Sequence, residues 1–246
     1  MKIHILGTAG YHPNEKRHTT CLAIPELGIV FDAGTSIFRL RDLIATKQLD
    51  IFLSHTHLDH VVGLTYLLDV LYQKSVDKVR VHGLDEKLKV VREQIFHPDV
   101  FPVEPPFDSV PLTDEVAVAG NGKLTHCQLE HPGGSMGYRI DWPGRSLAYI
   151  TDTTARPDAN YVEFIAGVDV LIHECNFADG FDDLAKLTGH SCTSHVANVA
   201  KSAAVGKLVL IHMNPLVESD DPIGIKTARA IFPNTEVAND NLVVDF

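Results

Sequence analysis

Ser54-His55-Thr56-His57-Leu58-Asp59-His60 decides how this chain is read. It contains the pattern H-x-H-x-D-H. At the chain's own His and Asp frequencies, that pattern arises by accident about 0.004 times in a sequence of this length. The short apolar run Asp50–Leu53 precedes it and reads as a buried strand. From His57 to Tyr72, Val61, Leu64, Leu67, Leu68 and Leu71 recur at helical spacing. The polar residues therefore sit on a loop between a strand and a helix, where two regular elements fix their geometry. His55 and His57 can converge on one metal ion, and Asp59 and His60 can turn to a second. Neutral imidazole and carboxylate suit borderline divalent ions such as Zn²⁺.

Two ions need more ligands, and strand ends elsewhere supply candidates. His131 follows His126-Cys127-Gln128-Leu129-Glu130 and precedes Pro132-Gly133-Gly134. Asp152 follows Leu147-Ala148-Tyr149-Ile150-Thr151. His212 follows Leu208-Val209-Leu210-Ile211. A strand that ends on His or Asp and then breaks is where sites sit in layered α/β proteins. A carboxylate such as Asp152 carries two oxygens and can bridge two ions.

Composition bounds the rest. The 246 residues include 21 Lys and Arg against 32 Asp and Glu, a net charge of −11 with 14 His held neutral. An acidic chain is a poor general binder of nucleic acid, because phosphate contact rests on Lys and Arg. No apolar run reaches the ~18–20 residues of a membrane span. The opening Met1–Gly7 is too short for a signal segment, so a cytoplasmic protein is expected. Cys21, Cys127, Cys175 and Cys192 are widely spaced and read as free thiols.

Along the chain, short apolar runs alternate with amphipathic stretches. Strands are expected at Lys2–Thr8, Thr19–Ile24, Gly28–Phe31, Lys78–His82, Glu115–Ala119, Gly122–Leu129, Gly137–Trp142, Ser146–Ile150, Val168–Ile172, Lys207–Ile211 and Leu242–Phe246. Helices are expected at Thr35–Ala45, Leu84–Phe96, Asp158–Ile165, Ser191–Ala204 and Pro222–Ile231. The proline-rich segment 97–113 reads as a loop or sheet edge. Each half supplies several strands and ends in helices. The expected fold is one α/β domain over residues 1–246, a four-layer αββα sandwich of two mixed sheets.

These motifs make the chain resemble the metallo-β-lactamase superfamily, and within it the ribonuclease Z and phosphodiesterase branch. The resemblance rests on H-x-H-x-D-H followed by His131, Asp152 and His212, and on Leu6-Gly7-Thr8-Ala9-Gly10 and Phe31-Asp32-Ala33-Gly34. It extends to His173-Glu174-Cys175-Asn176-Phe177, Gly189-His190-Ser191, Leu210-Ile211-His212 and the tail Ala228–Asp240. It implies two divalent ions, Zn²⁺ with Mn²⁺ or Fe²⁺ as alternatives. His55, His57 and His131 would hold the first, and Asp59, His60 and His212 the second, with Asp152 bridging. It further implies a bridging hydroxide that attacks phosphorus, with Asp59 accepting its proton. His190 would serve as proton donor at the scissile phosphate, oriented by Glu174. A Gly-preceded His at an expected helix start would also lie where anions are favoured.

The expected activity is a binuclear metal-dependent phosphodiesterase acting on small or short phosphodiester substrates. The stretch Leu84–His131 holds none of the long Gly/Pro-rich arm with which ribonuclease Z enzymes grip tRNA, so tRNA 3′-end processing is the alternative. A lactonase or thioesterase is the second alternative, since such enzymes use a similar motif on carbonyl substrates. A homodimer is implied by the resemblance. Arg17, His18, Arg39 and Arg41 are the cations of the first half that could meet a substrate phosphate, with a solvated helix face the competing role for Arg39 and Arg41. His173 is read as structural, and His195 as a possible support to the site from its helix face.

Overall fold

The computed structural model describes residues 1–246. Fourteen strands form in chain order: β1 (Lys2–Gly7), β2 (Cys21–Ile24), β3 (Ile29–Phe31), β4 (Gln48–Phe52), β5 (Lys78–Gly83), β6 (Asp108–Pro111), β7 (Glu115–Val118), β8 (Gly122–Leu129), β9 (Ser135–Trp142), β10 (Arg145–Ile150), β11 (Val170–Glu174), β12 (Lys207–Ile211), β13 (Thr235–Val237) and β14 (Leu242–Asp245). They make two seven-stranded sheets, ordered β14-β1-β2-β3-β4-β5-β6 and β13-β12-β11-β10-β9-β8-β7. The chain divides into two compact units, residues 1–120 with 240–245, and residues 121–239 with Phe246.

In the first unit β14, β1, β2 and β3 pair antiparallel, and β3, β4, β5 and β6 pair parallel. Alternate residues of β4 and β5, such as Leu49, Ile51, Val79 and Val81, join a core with Leu64, Leu67, Val70 and Leu88. That core covers one face of the sheet with helical segments, as period-2 strands and period-3.6 helices require. The connection after β4 carries the H-x-H-x-D-H residues into α1 (Leu58–Val61). The expected helix 57–72 is broken into α1, a 3₁₀ segment Val62–Tyr66 and α2 (Leu67–Leu71). Gly63 marks the break. Its N–H donates to the Ala33 carbonyl at 2.8 Å, and a Cβ there would collide with the Gly34 carbonyl. Thr35–Asp42 is likewise 3₁₀, and α3 (Asp85–Val90) passes into a π turn at Val91–Ile95. Segment 97–113 is loop except for β6 at the sheet edge.

In the second unit β8, β9 and β10 pair antiparallel, and β10, β11, β12 and β13 pair parallel. Leu171, Leu208 and Leu210 pack with Val196, Ala197, Val199 and Ala200 of α6 (Thr193–Ser202), leaving the opposite face of that helix polar. The helix expected at 158–165 shrinks to the single turn α4 (Tyr161–Phe164). Two elements escaped the sequence reading, α5 (Asp182–Thr188) and β13, while α7 (Ile225–Ile231) starts three residues later than expected. All four cysteines are free thiols. No helix is long and apolar enough to cross a membrane.

Candidate functional site

Two of the expected site residues, and one that supports them, follow strands that turn sharply. Asp32 after β3, Asp152 after β10 and His212 after β12 all adopt left-handed backbone, with φ of 55°, 50° and 62°. Such φ values are uncommon outside Gly and are most tolerated by Asn, Asp and His. The turn ends each strand and points a polar side chain away from the sheet.

The first unit gathers His55, His57, Asp59 and His60. The His55 ring lies 4.4 Å from both the His57 and the His60 ring, centroid to centroid. His60 Nε2 is 3.3 Å from Asp59 Oδ2. Asp32, fully buried, organises this cluster. Its Oδ1 accepts the Ser54 N–H at 2.7 Å, and its Oδ2 accepts the Ser54 hydroxyl and His60 Nδ1–H, each at 2.8 Å. Ser54 Oγ in turn accepts His55 Nδ1–H at 3.0 Å. Asp59 is held from the other side, for its Oδ2 accepts the Tyr11 N–H at 2.8 Å.

The second unit gathers His131, Asp152 and His212 with Glu174 and His190. Asp152 Oδ1 lies 3.4 Å from His212 Nε2, 3.7 Å from His131 Nε2 and 4.0 Å from His190 Nδ1. Its Oδ2 accepts the Thr151 hydroxyl at 2.6 Å. His131 Nδ1–H donates to the Gly189 carbonyl at 3.0 Å, and the Asn176 amide donates to the His212 carbonyl at 3.1 Å. Gly189 has a φ of 74°, and a Cβ on it would stand 2.5 Å from Pro132 Cδ and 2.8 Å from His131 Nδ1. Only glycine lets the backbone come this close to His131.

Glu174 ends β11 with no solvent exposure. Its Oε1 accepts the Thr153 N–H and His190 Nδ1–H, each at 3.1 Å. Its Oε2 accepts the N–H groups of Asn176 at 3.1 Å and Ser191 at 3.3 Å. Four donors suit an ionised carboxylate, and one of them fixes the His190 ring. The expected helix start at His190 is corrected. His190 follows the Gly189 that ends α5, its N–H donates to the Ala185 carbonyl, and α6 begins only at Thr193. Its protein-side setting is therefore the Glu174 carboxylate, with no helix N-terminus.

The donor set fits divalent metal. His55, His60 and His131 each commit Nδ1 to a hydroxyl, a carboxylate or a carbonyl, which leaves Nε2 to coordinate. Outer groups that fix tautomer and ring direction are the usual companions of metal-binding histidine. Donor atoms of His131, Asp152 and His190 lie within 4.8 Å of one another, as do those of Glu174, His190 and His212.

Other expectations resolve differently. His173 is structural as read: buried, it donates from Nδ1 to the Glu174 carbonyl at 2.6 Å and accepts the Tyr161 hydroxyl at Nε2 at 2.9 Å. Burial pushes its pKa down, against the pull of that carbonyl. His195 does not support the site, because it pairs with Asp182 of α5 at 3.4 Å near solvent. Arg39 is not on a solvated face either. It binds Asp240 at 2.6 Å and the Leu6 carbonyl. Arg41 caps the Asp69 and Tyr72 carbonyls, and Arg17 donates to the Thr8 hydroxyl at 2.6 Å. The supporting roles of Asp32, Ser54, Gly189 and Asn176 were not read from the sequence. For Asp32 a signal existed, a carboxylate directly after the apolar run Ile29–Phe31.

Comparison with known proteins gives the family. The model of the beta-lactamase superfamily domain matches residues 28–213. A ribonuclease Z of Lacticaseibacillus casei is 27% identical over an alignment of 307 positions, covering 98% of this chain and 93% of that protein. The metallo-beta-lactamase fold protein YhfI from Bacillus subtilis superposes with a TM-score of 0.84 at 20% identity, covering 99% of both chains. The short form of human tRNase Z superposes with a TM-score of 0.76 at 20% identity, covering 100% of this chain and 99% of that one. The chain belongs to the metallo-β-lactamase superfamily, on its ribonuclease Z and phosphodiesterase-like branch, and is a metal-dependent hydrolase.

Proposed function

We propose that the protein is a phosphodiesterase that cleaves small or short phosphodiester substrates. His55, His57 and His131 would hold one divalent ion and Asp59, His60 and His212 a second, with Asp152 as the ligand shared by both. Zn²⁺ is the first choice for His and Asp donors, with Mn²⁺ and Fe²⁺ also compatible. When bound, such a pair supplies an acidified water and positive charge for the phosphoryl oxygens.

The observation that carries the reading is the Glu174–His190 pair. With Nδ1 committed to a buried carboxylate, the imidazole can be protonated and can deliver its Nε2 proton to a leaving alkoxide. That is general-acid work suited to His. A thioester, whose thiolate leaves without a proton, needs none of it. Asp59, held by the Tyr11 N–H, serves as ligand and proton acceptor.

Relatives named ribonuclease Z favour a second reading, cleavage at a tRNA 3′ end. The L. casei alignment of 307 positions against 246 residues leaves at least 61 residues of that enzyme with no counterpart here. Together with the net charge of −11, this favours the smaller substrate. The active form is proposed to be a homodimer in the cytoplasm.

The test is hydrolysis of bis(p-nitrophenyl) phosphate by metal-reconstituted protein beside a chelated control, followed by cyclic nucleotides and a tRNA precursor. Metal-dependent turnover of the diester supports the proposal. Faster cleavage of the tRNA precursor than of every small diester moves the assignment to the second reading. No diester turnover by fully loaded protein, with turnover of a lactone or thioester, overturns both.

A further inference from the structure

The outer face of the first sheet carries a cavity lined by none of the metal-site residues. Leu6 of β1 packs there with Ile37 and Leu40 of the 3₁₀ segment Thr35–Asp42. His4 lies on the same face, because side chains two apart on a strand point the same way. Beside His4 in register stands Val243 of β14, the edge strand, which is 41% exposed where the helical layer stops short. The cavity measures about 370 Å³, room for a small ligand, and Phe38, Arg39, Asp42 and Asn241 line it with His4 and Leu6.

Its polar groups are of both signs, and the fold leaves them over. Arg39 and Asp42 stand one turn apart on the 3₁₀ segment, where side chains three apart eclipse and the rise between them is ~6 Å. They do not pair with each other. Arg39 Nη1 is drawn to the Leu6 carbonyl and, at 2.6 Å, to Asp240 Oδ2, while its Nε and Nη2 donate to no protein atom. The buried Asp240 carboxylate also faces the cation of Arg17, so Arg39 keeps a share of its charge. The Asp42 carboxylate, the His4 imidazole and the Asn241 side chain have no partner in the protein. The Phe38 ring beside them is 47% exposed, with the His18 ring edge-on at 5.1 Å and the Arg39 guanidinium 5.3 Å from its centre. A lone cation entering this cavity meets Arg39, and a lone anion meets Asp42. A molecule with both charges on one carbon, and an apolar side chain for Phe38 and Leu6, escapes both repulsions.

We propose that this cavity binds a free α-amino acid with an apolar side chain, its carboxylate on the unused N–H groups of Arg39, its ammonium on Asp42 and its side chain on the Phe38 ring. The site stands apart from the phosphodiesterase reading, since none of these residues belongs to the proposed metal centre. The test is a ligand-observed NMR titration of the metal-loaded full chain with L-leucine and L-phenylalanine. Two analogues of each keep a single charge: the N-acetyl acid, which also stands for a peptide C-terminus, and the amino acid amide, which stands for a peptide N-terminus. The amino acids are expected to bind with millimolar Kd or tighter. Both analogues should bind about tenfold more weakly, the effect of one charge-assisted contact. Asp42→Asn removes a carboxylate that no protein atom holds, so Tm should stay at the wild-type value. The same variant should lose about tenfold in amino acid affinity and accept the N-acetyl acid as well as the parent. Phe38→Ala should weaken leucine and phenylalanine alike. Amino acids also chelate metal ions, so the titration is repeated after chelation, and the affinity should not change. Failure of both amino acids to bind at millimolar concentration overturns the proposal. So does an analogue that binds wild type as tightly as its parent, which makes the ligand a peptide terminus. Binding that Asp42→Asn leaves unchanged, or that chelation abolishes, overturns it as well.

Discussion

Glu174 Oε1 lies 3.1 Å from His190 Nδ1, and the same carboxylate is locked by three backbone N–H groups. The imidazole therefore has one nitrogen left for chemistry. If that nitrogen protonates the leaving group, the loss in His190→Ala depends on what leaves. With an alkoxide, kcat should fall ~10²–10⁴-fold. With p-nitrophenolate, which departs without a proton, the loss should be far smaller. Glu174→Gln should show the same asymmetry at lower amplitude. Equal losses on both leaving groups in steady-state kinetics would refute the acid role.

Asp32 reaches His60 Nδ1 and both donors of Ser54 without being a ligand itself. Removing its charge should loosen the His60 ring rather than delete a donor. Asp32→Asn is expected to weaken metal binding ~10–100-fold. Competition with a chromophoric chelator reads this directly, and wild-type affinity would show that Asp32 is a fold residue only.

Gly189 stands where no Cβ fits, against Pro132 and His131. Gly189→Ala pays for left-handed backbone with ~1–2 kcal/mol even before the steric conflict. At this chain length that corresponds to a loss of several degrees in Tm. The displaced carbonyl also frees His131 Nδ1, so metal content should fall in the same variant. A Tm and zinc content equal to wild type would remove this account.

His173 supplies a pH dependence. Burial holds its pKa below the ordinary value near 6.5, so the unfolded chain takes up a proton there before the folded one does. Stability should be complete above that ordinary value and decline as pH falls through it towards the lower folded value. In Tyr161→Phe the hydroxyl that His173 Nε2 accepts is gone, and in His173→Gln the group cannot titrate. Urea midpoints measured from pH 7 to pH 5 should decline in wild type and decline less in His173→Gln. Parallel slopes would rule His173 out as the source.

Much of this was legible because the chemistry sits at strand ends. His55, His57, Asp59, His60, His131, Asp152 and His212 follow apolar runs that are strands, and polar residues at such breaks are visible in one dimension. Elements that stand on tertiary contact were not. The helix 57–72 read as continuous because Val61, Leu64, Leu67 and Leu71 keep helical spacing; the close backbone approach at Gly63 has no trace in that pattern. α5 has no apolar stripe to read: its large apolar residues Leu184 and Leu187 are exposed, and only the small Ala185 packs inward, against Phe177 and Cys192. Arg39 looked like a surface cation because its partner Asp240 lies 201 positions away.

That same Asp240 has a consequence for synthesis. Its carboxylate ties Thr8, the His18 N–H and Arg39, and the strand that follows it, β14, completes the first sheet beside β1. Thr8 and Asp240 are 232 residues apart. A nascent chain on the ribosome can assemble β1 to β6 long before the clasp exists. Until then β1, with its apolar Ile3 and Ile5, presents a raw sheet edge open to any passing strand. Loss of a few residues after Asn239 would make that transient hazard permanent, and the damage would surface as aggregation rather than as lost metal.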